Sequence, residues 1–478
     1  MSTNHNSNQS SNDESSLETL SQMDRAATLH PFTPMRAFEA DETGGPRIVE
    51  SGQGIRITDA DGRTSIDGFA GLYCVNIGYG RTEVADAIAE QARRLAYYHC
   101  YAGHTTRALA RLSQRLVDLA PGNMRKVFYG LSGSDANETQ AKLVWHYHNL
   151  IGKTDKKKII ARERGYHGCS VISGSMTGMN FYHAHMDLPV GGILHTGVPH
   201  FYWGAEAGES EIEFSKRRAA ELEQMILDEG PDTVGAFIAE PVLGTGGIIP
   251  PPAGYWDEIQ RVLKRYDVLL IADEVVTAFG RIGAWFGASV YGIEPDLITV
   301  AKGITSAYAP LSAVLIGARV ADALSAHSDE VGAFSHGYTY SGHPICVAAA
   351  NANLDVLEHD GIVEHVAGLG DALRDTLAAA VADSPIVGEV RGTGMLAAIE
   401  FVADPGNKLR FDAGHKVGAR MSAACLKNGL IARAMPHGDI LGFAPPLITT
   451  QDDMQEIAAI VYKSVVQVTD ELSAADII

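Results

Sequence analysis

Two apolar runs in this chain each end on a residue able to do chemistry. Val268-Leu269-Leu270-Ile271-Ala272 runs into Asp273-Glu274, and Leu297-Ile298-Thr299-Val300-Ala301 runs into Lys302-Gly303. Short unbroken apolar runs read as strands covered on both faces, so the carboxyl ends of two buried strands would deliver an acid and an amine. The amine can form a Schiff base with an aldehyde. The acid can hold a ring nitrogen protonated so that the ring accepts carbanion charge, which is the pairing that pyridoxal phosphate chemistry uses. Each residue also has a plainer reading: Asp273 as a helix cap or the partner of an arginine such as Arg281, and Lys302 as an exposed loop lysine.

Two upstream segments fit the first reading. Lys126-Val127-Phe128-Tyr129-Gly130-Leu131-Ser132-Gly133-Ser134-Asp135-Ala136-Asn137-Glu138 reads as a strand, a glycine turn and a helix start. Free backbone amides and the positive end of a helix dipole would meet there, so Gly133 and Ser134 are placed to bind a phosphate. Strand-glycine-helix turns are also common without any ligand. Gly165-Tyr166-His167-Gly168 follows another strand, where an aromatic ring can either stack on a planar cofactor or fill the core. Order and spacing favour the functional reading, because phosphate turn, stacking aromatic, acid and lysine follow one another, each at a strand end.

Ser132-Gly133-Ser134-Asp135-Ala136-Asn137, Gly165-Tyr166-His167-Gly168, Ala239-Glu240-Pro241-Val242, Ala272-Asp273-Glu274-Val275, Ala301-Lys302-Gly303 and His336-Gly337-Tyr338-Thr339-Tyr340-Ser341-Gly342-His343-Pro344 together resemble the class III aminotransferases. These are fold-type-I pyridoxal phosphate enzymes that include the ω-transaminases, and the resemblance runs from about Met23 to about Asp470. It implies Lys302 as the Schiff-base lysine and proton shuttle, and Asp273 as the partner of the pyridine nitrogen. Tyr166 and Val275 would sandwich the ring, and Gly133 and Ser134 would hold the phosphate. Thr339 would reach the phosphate from a neighbouring subunit, which implies a homodimer with its active site at the subunit interface.

The substrate wall is read from the same resemblance. His30-Pro31-Phe32-Thr33 and Gly71-Leu72-Tyr73-Cys74-Val75-Asn76-Ile77-Gly78-Tyr79-Gly80 are similar to pocket-lining segments of the amine:pyruvate subgroup, with Tyr73 where many members have tryptophan. Phe32, Tyr73, Tyr101, Tyr166 and Thr245 are the wall residues this implies. Arg433 matches the subgroup's mobile arginine, which binds a keto-acid carboxylate and swings away for an apolar amine; a guanidinium fork on a flexible stem suits both tasks. Its plain alternative is a surface ion pair. The loop after it, Pro436-His437-Gly438-Asp439, is longer than in many relatives.

The elements that must position these groups alternate. A helix is expected at about Leu17 to Leu29, and a hairpin over Ile55 to Asp67 with Asp61-Gly62 as its turn. Arg125 to Tyr129, Lys158 to Ala161, Thr233 to Ala239, Val268 to Ala272, Leu297 to Ala301 and Ser312 to Ile316 are strand candidates separated by amphipathic helices. Past Pro344 come helices over Cys346 to His359 and Gly361 to Ala382, and strand-like pieces at Leu396 to Val402 and Leu430 to Ala434. The expected fold is therefore α/β. A large, mostly parallel seven-stranded sheet domain spans 78–344, and a smaller α+β domain is assembled from 23–77 and 345–478 behind a flexible 1–22.

Composition narrows the function classes. With 38 basic against 58 acidic residues the formal charge is −20, which disfavours nucleic acid and anionic membrane partners. The five cysteines, Cys74, Cys100, Cys169, Cys346 and Cys425, form no CxxC pair or zinc spacing, as for reduced thiols in the cytoplasm. His183 and His185, like His146 and His148, lack acidic or thiol partners at ligand spacing, so no metal is expected. No stretch of about 18 apolar residues suggests a membrane span. The resulting expectation is a cytoplasmic, homodimeric transaminase. It would pass an amino group from a primary amine or ω-amino acid to an α-keto acid, with pyruvate favoured, in a ping-pong scheme through pyridoxamine phosphate. The alternatives are an aminomutase, racemase or decarboxylase on the same cofactor, and a non-catalytic cofactor-binding regulator.

Overall fold

The computed structural model describes residues 16–478. Its centre is a seven-stranded sheet formed by β1 (Met124–Gly130), β2 (Lys158–Arg162), β3 (Ile193–Thr196), β4 (Val234–Ala239), β5 (Leu269–Asp273), β6 (Leu297–Val300) and β7 (Ser312–Gly317). They lie in the order β1-β7-β6-β5-β4-β2-β3. Only β7 runs against its neighbours β1 and β6; the other pairings are parallel.

The unbroken apolar runs have a direct structural cause. Successive side chains of a strand point to opposite faces, and both faces here are covered. Ile159, Ile238 and Ile271 pack under the helix Gly133–Leu150 with Ala141 and Val144. Their neighbours Ile160, Phe237 and Leu270 pack on the other side against Leu222 and Ile226 of Glu211–Glu229 and Tyr255 and Ile259 of Tyr255–Arg265. A central strand such as β4 is consequently buried along its whole length.

The edge strand β3 was absent from the candidates read off the sequence. Its four residues, Ile-Leu-His-Thr, are only partly buried, so the apolar signal that marked the central strands is missing.

Two four-stranded sheets lie outside the seven-stranded one. In one, Val49–Gln53, Arg56–Asp59 and Thr64–Asp67 are joined in parallel by Leu430–Ile431. In the other, Val387–Thr393, Leu396–Phe401 and Ile440–Phe443 are extended by Arg433–Ala434. The stretch Leu430 to Ala434, expected as one strand, is thus shared between two sheets. The helix expected over Gly361 to Ala382 is likewise two, Ile362–Leu369 and Ala372–Ala380, because Gly370 at φ 56° interrupts it. At the amino end the expected flexible segment overlaps a helix, Leu17–Ala27, capped by Ser16 with Glu18 in its first turn and Arg25 in its last; these placements complement the helix dipole. The rest of that segment lies outside the described residues. Among the described residues no helix is long and apolar enough to cross a membrane.

Candidate active site

The carboxyl ends of β1, β2, β4, β5 and β6 open onto a cavity of about 450 Å³, within the range of small-ligand sites. One wall is the turn after β1. Ser132 caps the helix Gly133–Leu150 by accepting from Asp135 N, and the Asp135 carboxylate accepts from Leu131 N, Ser132 N and the Ser312 hydroxyl. These bonds fix the turn. As first-turn residues, Gly133 and Ser134 have no intrahelical acceptor for their amides, and both line the cavity. A Cβ on Gly133 would stand 3.0 Å from Val275 Cγ2, so the glycine lets the phosphate turn and the loop after β5 approach each other.

The acid and the amine come from adjacent strands. Asp273 pairs in register with Thr299, and Lys302 follows just past the end of β6. Asp273 is 3% exposed. Its Oδ2 accepts from Asn137 Nδ2 at 2.8 Å and from His167 Nδ1 at 2.8 Å, and its Oδ1 accepts from Val275 N at 3.1 Å. Asn137 is in turn held by the Thr299 hydroxyl at 2.7 Å, which accepts from Gln140 Nε2 at 3.0 Å. Oδ2 thus has two fixed donors and Oδ1 one, which orients the carboxylate before any ligand arrives. Lys302 is half-buried, lines the cavity and has φ 45°, a left-handed conformation that is costly for a side chain bearing a Cβ and concentrates at functional sites. Arg281, offered above as a plain partner for Asp273, instead bonds Asn76 Oδ1 and the carbonyls of Pro445 and Met395.

Tyr166, Val275 and Thr245 also line the cavity. Tyr166 N donates to Glu240 Oε1 at 3.0 Å, while Gly244 N donates to Glu240 Oε2 at 2.7 Å, so one buried carboxylate joins the loops carrying Tyr166 and Thr245. Burial pushes the Glu240 carboxyl above its ordinary range. It also raises the thiol of Cys74, another lining residue, against the opposing charge of Lys302.

Five expected residues lie elsewhere in the single chain. Thr339 is exposed, and its carbonyl accepts from Tyr97 OH at 2.6 Å. Tyr101 is 46% exposed beside Gly337, and Phe32 is 76% exposed with its ring 5.3 Å from that of Tyr182. Tyr73 is not on the cavity wall. Its φ of 65° turns the ring into an apolar cluster with Phe69, Val242 and Met435, and leaves Cys74 to face the cavity. Arg433 lies over the Phe69 ring.

Asn137, His167 and Glu240 are structural partners that the sequence reading quoted within motifs without giving them a role. A histidine beside a glycine and an asparagine in the second turn of a helix were the available signals, but nothing in their spacing says which carboxylate they reach. Elsewhere, His200, Glu389 and Glu400 lie close enough to suggest a metal site. Arg391 Nη1 lies between the two carboxylates, 2.7 Å from Glu389 and 2.8 Å from Glu400, so a guanidinium already occupies the position an ion would take.

A seven-stranded, mostly parallel sheet with an acid, an amine and a phosphate turn at one end of it defines a transaminase-type site. Residues 38–465 match the family Aminotransferase class-III, and the chain belongs to that family of pyridoxal phosphate-dependent enzymes. It is 65% identical over 456 residues to Uncharacterized aminotransferase y4uB of Sinorhizobium fredii, covering 95% of this chain and 98% of that one. It is 56% identical to Diaminobutyrate--2-oxoglutarate transaminase of Halomonas elongata, covering 94% of this chain and 96% of the relative. The crystal structure of an ω-transaminase from Pseudomonas jessenii in complex with PMP superposes with a TM-score of 0.92 at 41% identity, covering 96% of this chain and 99% of that one.

Proposed function

We propose that this transaminase moves an amino group from a primary amine or ω-amino acid to a monocarboxylic α-keto acid, pyruvate, as a cytoplasmic homodimer. The supporting observation is the cavity's charge pattern: among the described residues Lys302 is the one lysine or arginine lining it, and Thr245 presents an uncharged wall. Of the guanidiniums whose charge reaches the wall, Arg281 at Cys74 and Arg162 at Glu240 are buried and hydrogen-bonded within the protein, which leaves Arg433, whose charge opposes the upward push of burial on Tyr166. One guanidinium suits one carboxylate; a dicarboxylic acceptor would call for a second. The relative named for diaminobutyrate and 2-oxoglutarate supports the rival acceptor, so the two keto acids must be compared directly.

The residues present fit pyridoxal phosphate. When bound, the cofactor supplies an aldehyde that takes an amine and a protonated ring that accepts carbanion charge. In the proposed arrangement the amides of Gly133 and Ser134 bind its phosphate at the helix start, and Thr339 of a second copy adds a hydroxyl. Tyr166 and Val275 would hold the ring, and Asp273, fixed by Asn137 and His167, would keep the ring nitrogen protonated. Lys302 Nζ would be the amine that holds the cofactor, and the same amine, once free, would carry the proton from the substrate carbon. Arg433 receives the acceptor's carboxylate. The exposed tyrosines Tyr97, Tyr98, Tyr101 and Tyr340 (37%, 47%, 46% and 53% exposed), close to Thr339, form the surface the second copy would cover.

The test is an absorbance titration of the holoenzyme. An amine donor should bleach the visible band, and pyruvate should restore it at lower concentration than 2-oxoglutarate does. Recovery with 2-oxoglutarate alone would overturn the acceptor assignment. Bleaching without recovery by any keto acid would favour a decarboxylase, racemase or aminomutase.

A further inference from the structure

Arg433 forms no ion pair among the described residues, yet it has a defined resting place. Its guanidinium carbon lies 5.6 Å from the centroid of the Phe69 ring, within cation–π reach. The backbone explains the encounter. Ile66-Asp67 pairs in parallel with Leu430-Ile431, so Phe69 and Arg433, each two residues beyond its own strand, emerge side by side. Ala444 N donates to Gly68 O at 2.8 Å, and a Cβ on Gly68 would stand 2.7 Å from Ile431 O, so only glycine permits this approach. The Asp67 carboxylate accepts from Phe69 N at 3.1 Å and Gly71 N at 2.6 Å and fixes the turn that carries the ring. Phe69 is 1% exposed, its ring 4.4 Å from that of Tyr73, whose hydroxyl has no hydrogen-bond partner.

We propose that Phe69, backed by Tyr73, is a specificity-determining residue: its ring face is the berth in which Arg433 rests, and it competes with the acceptor's carboxylate for the guanidinium. This rests on the reading of Arg433 as the carboxylate-binding residue. While Arg433 is berthed, the wall beside Tyr166 is free for an apolar amine. A carboxylate must draw the guanidinium off the ring, so a stronger berth favours amines and a weaker one favours acids. Trimming this buried aromatic ring should therefore tighten acid binding, the reverse of what loss of a pocket contact does.

The experiment uses the holoenzyme with propionate, an unreactive carboxylate, as a competitor against 1-phenylethylamine. In Phe69→Leu and Phe69→Met, both apolar and of similar volume so that the core is kept, the inhibition constant of propionate should fall about two- to fivefold, the worth of an ordinary cation–π contact. The KM for pyruvate should fall in parallel, with kcat changed less, and Phe69→Tyr should retain the parent values. An inhibition constant that is unchanged or higher in both aliphatic variants, with bound cofactor and circular dichroism intact, would overturn the berth. Arg433→Ala separates the two claims. If it leaves propionate inhibition untouched, the carboxylate role of Arg433 fails; if it abolishes inhibition while the Phe69 variants do nothing, only the berth fails.

Discussion

An alanine methyl at Gly168 would stand 2.3 Å from Ser173 Oγ and 2.7 Å from Ser134 Oγ, in a backbone conformation at φ +134° that side chains rarely adopt. Cys169 N also donates to Ser134 Oγ at 3.2 Å, so the clash would fall on a residue proposed to bind the cofactor phosphate. Gly168→Ala should therefore weaken pyridoxal phosphate binding about five- to thirtyfold, the scale of about 1–2 kcal/mol of strain, as read by fluorescence titration of the apoprotein. Unchanged affinity would remove Ser134 from the phosphate site. Lys302→Ala should lose more than the roughly 10²–10⁴ that general base catalysis supplies, because tether and base vanish together. Borohydride reduction and peptide mapping of the parent protein should mark Lys302 and no other lysine. At this scale the sequence was most legible where a residue's place follows from a strand end, as for Asp273 and Lys302, which both line the cavity. It was least legible where the role is a contact. Asn137 and His167 meet the same Asp273 oxygen from positions 136 and 106 residues away, and Tyr73 turned inward through a backbone conformation that no periodicity announces.

The helix Gly133–Leu150 lies on β4 through a contact that makes it sensitive to acid. His148 is fully buried, its Nε2 is 3.0 Å from Gly235 O, and its Nδ1 has no partner. A Cβ on Gly235 would stand 3.2 Å from the His148 ring, so helix and strand are as close as glycine allows. Burial lowers the imidazole to about 4 from the ordinary 6.5. The shift is downward, so between those values the unfolded chain binds a proton that the folded chain does not, and stability is lost as pH falls through that window. The loss from this one group should approach about 3 kcal/mol at the acid end. His148→Gln, which can still donate to Gly235 O, should flatten the decline in urea midpoint between about pH 6.5 and 4; a curve parallel to the parent's would exclude this histidine as the cause. The elements themselves were legible wherever burial was two-sided, since β2, β4, β5 and β6 had no polar face to confuse the reading. Half-covered β3 was missed. Gly370 and the split at Ala432 went unseen because alanine-rich and apolar runs look continuous until a neighbouring sheet claims part of them.

For the whole molecule, the segments that build the large sheet and those that build the smaller sheets bond to one another. Arg391, on a strand of a four-stranded sheet, donates to Gly247 O and Ile248 O, and Trp203 Nε1 donates to Glu400 on the neighbouring strand. The single chain thus supplies a cavity with nearly all the proposed cofactor contacts, and Thr339, on an exposed segment outside it, is the exception. If Thr339 completes the phosphate site of a second copy, each active site draws Lys302 from one chain and Thr339 from the other. That arrangement makes a complementation experiment decisive. Lys302→Ala and Thr339→Asp, the latter setting a negative charge against the phosphate, should each be inactive as homodimers. Unfolded, mixed in equal amounts and refolded together, they should form about half heterodimers by random pairing of a two-fold dimer. In each heterodimer both lesions fall in one site and leave the other intact, so activity should return to about a quarter of the parent level, one good site in two across half the molecules. If Thr339 served the cavity of its own chain, every site in the mixture would carry one lesion, and the refolded mixture would stay as inactive as its parents.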